Sequence, residues 1–192
     1  DVMVCTYKYN WDKALYNHVK VENKNGKDWY PGKWRREWMP IGYKDPNVVD
    51  VNFCYLRYAD VVLMAAEAYN ETDDTPEAWK LLNSVRRRAG AREITTENYT
   101  ELMKDKVYKL NFISDSDDAG KFRTALYWER GFELAFEGQR KYDLIRWGVI
   151  KDALTLFSNR SAVKSAYPAG DNFQKGKHEL FPIPLDELQL NP

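Results

Sequence analysis

The sequence predicts a mainly α-helical protein. Three observations carry this. Apolar residues recur at helical spacing between Tyr55 and Ala89, helix-start and helix-stop residues fall where that spacing breaks, and two further helical stretches follow beyond residue 124. Alternating, strand-like patterning is confined to the first 50 residues.

The first helix is expected from about Tyr55. Leu56, Ala59, Leu63 and Ala66 share a face, and Val62, Ala65 and Tyr69 widen it, so most of its surface should be buried. Asp73, Asp74 and Thr75 form a turn, and Pro76 suits the first position of a second helix. Ala78, Leu81, Leu82, Val85 and Ala89 continue that helix, and Gly90 suits the residue just past its end. Two helices joined by so short a turn form a helical hairpin. A weaker helix is expected near 96–110, then a polar loop over 114–118. A third strong helix is expected over 124–137 and interrupted by Gly138. A short helix follows over 139–147, closed by Gly148, and another over 149–157. In the tail, Pro182 and Pro184 enforce an extended path, and Asp186 is placed to cap a last helical turn.

Residues 1–52 read as a separate segment, irregular with short strands. Val2 and Val4 alternate with polar neighbours, as do Val19 and Val21, and Asn25-Gly26 is a hairpin turn signal. Trp29, Tyr30, Trp34, Arg35, Arg36 and Trp38 then lie among Pro31, Gly32, Pro40 and Gly42. The helical region is expected over 53–192.

Composition excludes several classes. Lysine plus arginine is 29 and aspartate plus glutamate is 29, a balance that speaks against nucleic-acid binding. The longest apolar run, 61–66, is far short of the roughly 20 residues a membrane helix needs. No basic start leads into an apolar stretch, so no signal peptide is read. Two cysteines, Cys5 and Cys54, make neither a disulfide framework nor a metal site, and nothing in the sequence says that they meet. Aromatics are 15% of the chain, enough either to fill a core or to line a surface that stacks sugar rings.

Four segments together resemble the C-terminal region of SusD/RagB proteins. They are the run from Leu56 to Ala68 (LRYADVVLMAAEA), the run from Leu82 to Gly90 (LNSVRRRAG), the stretch from Glu129 to Gly148 with Glu133, Glu137-Gly138, Arg140, Asp143 and Arg146-Trp147, and the tail Phe181-Pro182-Ile183-Pro184 with Glu187 and Asn191-Pro192. The resemblance covers about residues 53–192. It implies tetratricopeptide-like hairpins that support long irregular loops. It implies a lipoprotein on the outer face of an outer membrane, partnered with a SusC-like TonB-dependent transporter. It further implies non-enzymatic capture of a glycan, with peptide capture or a protein-interaction scaffold as alternatives. Members of that family run to several hundred residues with a lipid-bearing cysteine at the mature N-terminus. Cys5 is not read as that residue, and the chain reads as lacking an N-terminal half.

Candidate sites follow. Glu129, Glu133 and Glu137 stand at i, i+4 and i+8, and Arg130, Arg140, Asp143 and Arg146 are near in sequence. A structural ion-pair network is expected of these seven. A di-iron site would need Glu-x-x-His partners, and His18 and His178 lack that context. Asp115, Asp117 and Gly120 echo a calcium loop, but its fifth and twelfth positions would be Ala119 and Leu126, so a solvated turn is expected. No catalytic constellation, metal site or cofactor is expected. Trp29, Tyr30, Trp34, Arg35, Trp38 and Tyr43 are the candidate ligand residues, because loops on a rigid scaffold carry binding groups. Packing of these aromatics against a helix is the competing reading. Trp128 and Trp147 are expected in the core.

Overall fold

A computed structural model of the chain describes residues 4–5, 7–9, 18–20, 30–31, 33–34, 52–105, 108–160 and 167–190. It divides into two compact units, residues 1–139 and 140–192.

In the first unit, β1 (Val4–Cys5) pairs antiparallel with β4 (Tyr30–Pro31), and β2 (Tyr7–Tyr9) pairs with β3 (His18–Lys20). The strand at 18–20 thus pairs with 7–9, and the turn signal at Asn25-Gly26 lies outside the described residues.

The helical hairpin is present. α1 (Tyr58–Glu71) and α2 (Thr75–Arg88) are joined by a turn in which Asp73 takes the left-handed conformation at φ 63°. Asp74 caps α2 by accepting from the Glu77 N–H at 3.2 Å, and Pro76 sits in the first turn, where its missing N–H costs nothing. Ala59, Val62, Leu63 and Ala66 of α1 meet Ala78, Trp79, Leu82 and Val85 of α2 in the core. α1 is less buried than its pattern suggests. Tyr58, Val61, Met64 and Tyr69 are exposed, and Leu56, also exposed, lies ahead of the helix and off its face.

The chain then turns back on Asn83, whose side chain bonds both the N–H and the carbonyl of Ile94, at 2.8 and 2.7 Å. The helix expected over 96–110 shrinks to α3 (Tyr99–Leu102). Polar side chains here bond locally instead of leaving the backbone to a longer helix. The Thr95 N–H donates to Asn98 Oδ1, and the Asn98 side-chain amide donates to the Glu93 carbonyl.

α4 (Asp118–Glu133) starts six residues before the expected Thr124 and ends four before the expected Glu137. Its start explains the acidic turn. Asp117 caps the helix, accepting from the Gly120 N–H at 2.7 Å. Gly120 is required there, since a Cβ would fall 2.2 Å from the Ser114 carbonyl oxygen. Phe122 and Leu126 complete the core, with the Phe122 ring edge-on to Trp79 at 5.1 Å. Trp128 is half-buried rather than core. Its indole donates to the Tyr108 carbonyl at 3.0 Å, within a cluster of Tyr108, Tyr127 and Phe132.

The second unit contains α5 (Arg140–Arg146), α6 (Ile150–Arg160), α7 (Ala169–Asn172) and α8 (Leu185–Leu190). Leu144, Ile150, Ala153 and Phe173 are buried apolar residues among its described residues. α7 packs on α6 through Gly170, where a Cβ would lie 2.7 Å from the Thr155 backbone nitrogen. Trp147 is half-buried, with the Arg146 guanidinium 4.7 Å over its ring. The Phe181–Pro184 stretch is non-helical. Asp186 does not cap α8, because Pro184 supplies the carbonyl for the first helical bonds and Asp186 falls inside the first turn.

Candidate functional site

The three glutamates of the expected network are each held by cations. Glu129, buried on α4, accepts from Arg86 of α2 at 2.5 Å. Glu133 accepts from Arg57 at 2.6 Å and also pairs with Arg88. Glu137 accepts from Arg57 at 2.7 Å and also pairs with Lys33. These cations come from α2, from the residue that opens α1, and from the segment at 33–34. Arg130 instead crosses to α1, bonding the buried Asp60 at 2.8 Å. In the second unit, Arg146 bonds the buried Asp143 at 2.9 Å; Arg140 begins α5. Of these partners, the sequence reading had named neither Lys33, Arg57, Asp60, Arg86 nor Arg88.

The reason for this convergence is the end of α4. Its last carbonyls lack helical partners and carry the negative end of the helix dipole. Arg57 Nη2 and Lys33 Nζ both donate to the Glu133 carbonyl, at 2.5 and 2.6 Å. Phe136 then takes a left-handed conformation at φ 65°, which turns Glu137 back toward the same two cations. The carboxylates respond in opposite ways. Burial pushes Glu129 above its ordinary range, and Arg86 only partly offsets it. Burial also pushes Glu137 up, but the bonds from Arg57 and Lys33 outweigh it and leave that carboxyl below its ordinary value.

The same turn positions an aromatic surface. The Trp34 indole N–H donates to the Phe136 carbonyl at 2.8 Å, while neighbouring Lys33 holds Glu133 and Glu137. The Trp34 ring stacks on Phe53, with centroids 5.1 Å apart and planes 17° apart; Tyr55 meets Phe53 edge-on at 5.1 Å. Gln139 fixes this strip by donating to the Tyr55 carbonyl at 3.1 Å. Phe53, Tyr55 and Phe136 are 49%, 82% and 52% exposed, and Trp34 between them is half-buried. Among the candidate ligand residues, Trp34 alone has a described side chain. Tyr30 is described only as part of β4, and Trp29, Arg35, Trp38 and Tyr43 lie outside the described residues. Phe53 and Tyr55 were legible as an alternating aromatic pair ahead of α1. Phe136 carried no such signal, since it fell within an expected helix.

Among the described residues no group of three or more His, Cys, Asp and Glu gathers as a metal site, and no helix is long and apolar enough to cross a membrane. Cys54 is a free, exposed thiol. His178 accepts from the Gln174 N–H at 2.9 Å and lies edge-on to Phe173, a structural placement.

A helical hairpin, α4 locked to it by ion pairs, and an aromatic strip at the end of α4 define a helical scaffold. The sequence profile of the SusD family matches residues 2–192, so the match includes the aromatic segment ahead of the hairpin. Two SusD-like proteins of Formosa agariphila are 38% and 31% identical to this chain over 141 residues. Each alignment covers 73% of this chain, and 23% and 24% of the respective relative. The crystal structure of a SusD homolog from Bacteroides thetaiotaomicron superposes with a TM-score of 0.70 at 27% identity, covering 99% of this chain and 38% of that one. The chain belongs to the SusD family, and it spans about a quarter of the length of the curated relatives it matches.

Proposed function

We propose that this chain is part of a cell-surface protein that captures a glycan and delivers it to a SusC-like TonB-dependent transporter without cleaving it. In this reading the protein is held on the outer face of an outer membrane by a lipid anchor. The observation that carries the reading is the strip of Trp34, Phe53 and Tyr55. Phe53 and Tyr55 are exposed and Trp34 is half-buried, and the strip is pinned to the end of α4 by the Trp34 bond to Phe136 and by the ion pair of the neighbouring Lys33 with Glu137. A rigid aromatic face loses little entropy on stacking a sugar ring. Membership of the SusD family supports the same assignment. Binding rather than turnover is supported by the carboxylates, because Glu129, Glu133 and Glu137 each sit on an arginine or lysine. A glycosidase instead needs an acid and a second carboxylate flanking an open cleft.

The test is affinity electrophoresis or calorimetry against a panel of soluble glycans, with wild type and the Trp34→Ala and Phe53→Ala variants. A bound glycan should lose about 1–3 kcal/mol of affinity in each variant, the scale for removing a stacked ring, and no shortened products should form. Unchanged affinity in both variants would defeat the site assignment, and turnover that vanishes with Glu133→Gln would defeat the non-enzymatic reading.

A second reading, docking of a protein partner, is favoured by the outer side of α1. Tyr58, Val61 and Met64 form an exposed apolar row there, 83%, 42% and 42% accessible. Retained glycan binding with lost transporter pull-down in Val61→Asp would place a partner contact on that row.

A further inference from the structure

The aromatic strip is assembled from three stretches of chain that are far apart in sequence. Trp34 comes from the segment at 33–34, Phe53 and Tyr55 from the stretch ahead of α1, and Phe136 from the turn after α4. Among the described residues, no backbone–backbone hydrogen bond ties 33–34 or 52–56 to another element. Side-chain bonds hold these stretches instead.

One carboxylate reaches all three. Glu137 follows Phe136 directly in the chain. It accepts from Arg57 Nε at 2.7 Å, and Arg57 stands two residues beyond Tyr55. It also accepts from Lys33 Nζ, and Lys33 is the residue before Trp34. Each carboxylate oxygen is taken by one cation, and Glu137 is only 7% exposed, so a sugar on the strip meets the rings and not this carboxylate. The backbone of the turn carries a second sign of the same role. Phe136 is left-handed at φ 65°, a costly conformation for a bulky residue that persists only where its surroundings enforce it. The contacts that enforce it are the bonds of Arg57 and Lys33 to Glu137 on one side and the Trp34 indole on the Phe136 carbonyl.

We propose that Glu137 is a positioning residue for glycan capture. Its carboxylate sets the three aromatic stretches against one another before a sugar arrives, so the rings stack without first having to be ordered. Pre-organised groups bind more tightly because the ordering cost is already met in the free protein. The proposal rests on the aromatic strip as the glycan site and adds what makes that site rigid.

The experiment uses protein labelled with 5-fluorotryptophan. Of its seven indole signals, that of Trp34 is assigned by its loss in Trp34→Phe. Maltohexaose, xylohexaose and laminarihexaose are titrated into wild type and variants and followed by fluorine NMR and calorimetry. In Glu137→Gln the Trp34 signal should shift or broaden before any sugar is added. That readout needs no ligand and tests the positioning by itself. Affinity for the oligosaccharide that wild type binds should fall by about threefold to tenfold. Saturation with it should return the Trp34 signal to the wild-type bound position, because Glu137 orders the ring without touching the sugar. Lys33→Gln should shift the same signal and keeps the test open if Glu137→Gln folds poorly. Leu82→Ala, a truncation in the core of the hairpin, should lower the melting midpoint while leaving both the Trp34 signal and the affinity unchanged. A Trp34 signal that stays in place in both Glu137→Gln and Lys33→Gln overturns the proposal, as does an equal shift in Leu82→Ala. If Trp34→Ala loses affinity while Glu137→Gln keeps it, the strip stands and the positioning role falls. If Trp34→Ala keeps full affinity, the aromatic-strip reading fails and takes this proposal with it.

Discussion

Arg57→Ala should be the most costly change among the half-exposed charges of this protein. Arg57 makes three bonds at once, to Glu137 at 2.7 Å, to Glu133 at 2.6 Å and to the Glu133 carbonyl at 2.5 Å. Charge-assisted bonds contribute about 1.5–3 kcal/mol each, so three would sum to roughly 4.5–9 kcal/mol if wholly buried. Two facts reduce that figure. The Arg57 side chain is 25% exposed, and each carboxylate keeps another cation, Arg88 for Glu133 and Lys33 for Glu137. The expected loss is therefore about 2–4 kcal/mol. For a chain of this size it would lower the melting midpoint by about 10 °C. Urea unfolding followed by tryptophan fluorescence measures it. Adding Lys33→Ala should cost more than the two single losses together, by about 0.5–3 kcal/mol, since Glu137 then loses both of its cations. Arg123→Ala is the control. Arg123 grips Glu71 through two bonds at 2.7 and 2.8 Å, but both side chains are about half exposed, so its loss should stay below about 1 kcal/mol. If Arg57→Ala costs no more than Arg123→Ala, the hub at the end of α4 contributes nothing beyond ordinary surface pairing.

Three further changes probe the ion pairs of α4 and the turn after it. Glu137 is held below its ordinary pKa, so its stabilisation is present above the unfolded value and lost as pH falls through the folded one; Glu129 is raised, so its contribution falls as pH rises. The deficit of Glu137→Gln should thus grow from pH 3 to pH 7 while that of Glu129→Gln shrinks, and parallel pH profiles for the two would contradict the assignment. Asp60→Ala removes the carboxylate opposite Arg130, where both side chains are under 10% exposed, and should cost about 3–5 kcal/mol in urea midpoint measurements. A loss below 1 kcal/mol would mean that Arg130 does not depend on Asp60.

What the sequence by itself determined was local. The hairpin of α1 and α2 follows from apolar spacing, from Asp74 and Pro76 at the start of α2, and from Gly90 after it, all of which act within a few residues of chain. The row of Glu129, Glu133 and Glu137 was also visible, as was Trp34 as one of six candidate ligand residues. The true start of α4 was present in the sequence too, as Asp117 three residues before Gly120. It was obscured because a capping aspartate in a run of polar residues looks like any solvated loop. What only the tertiary structure decided was partnership. Arg57 and Glu137 are 80 residues apart, and Asp60 and Arg130 are 70 apart. Trp34 and Phe136 are 102 apart. No local spacing encodes such pairs. They form because α4 packs on the hairpin and ends beside the residue that opens α1, and because the left-handed turn at Phe136 sends a carbonyl and a carboxylate back toward the same place.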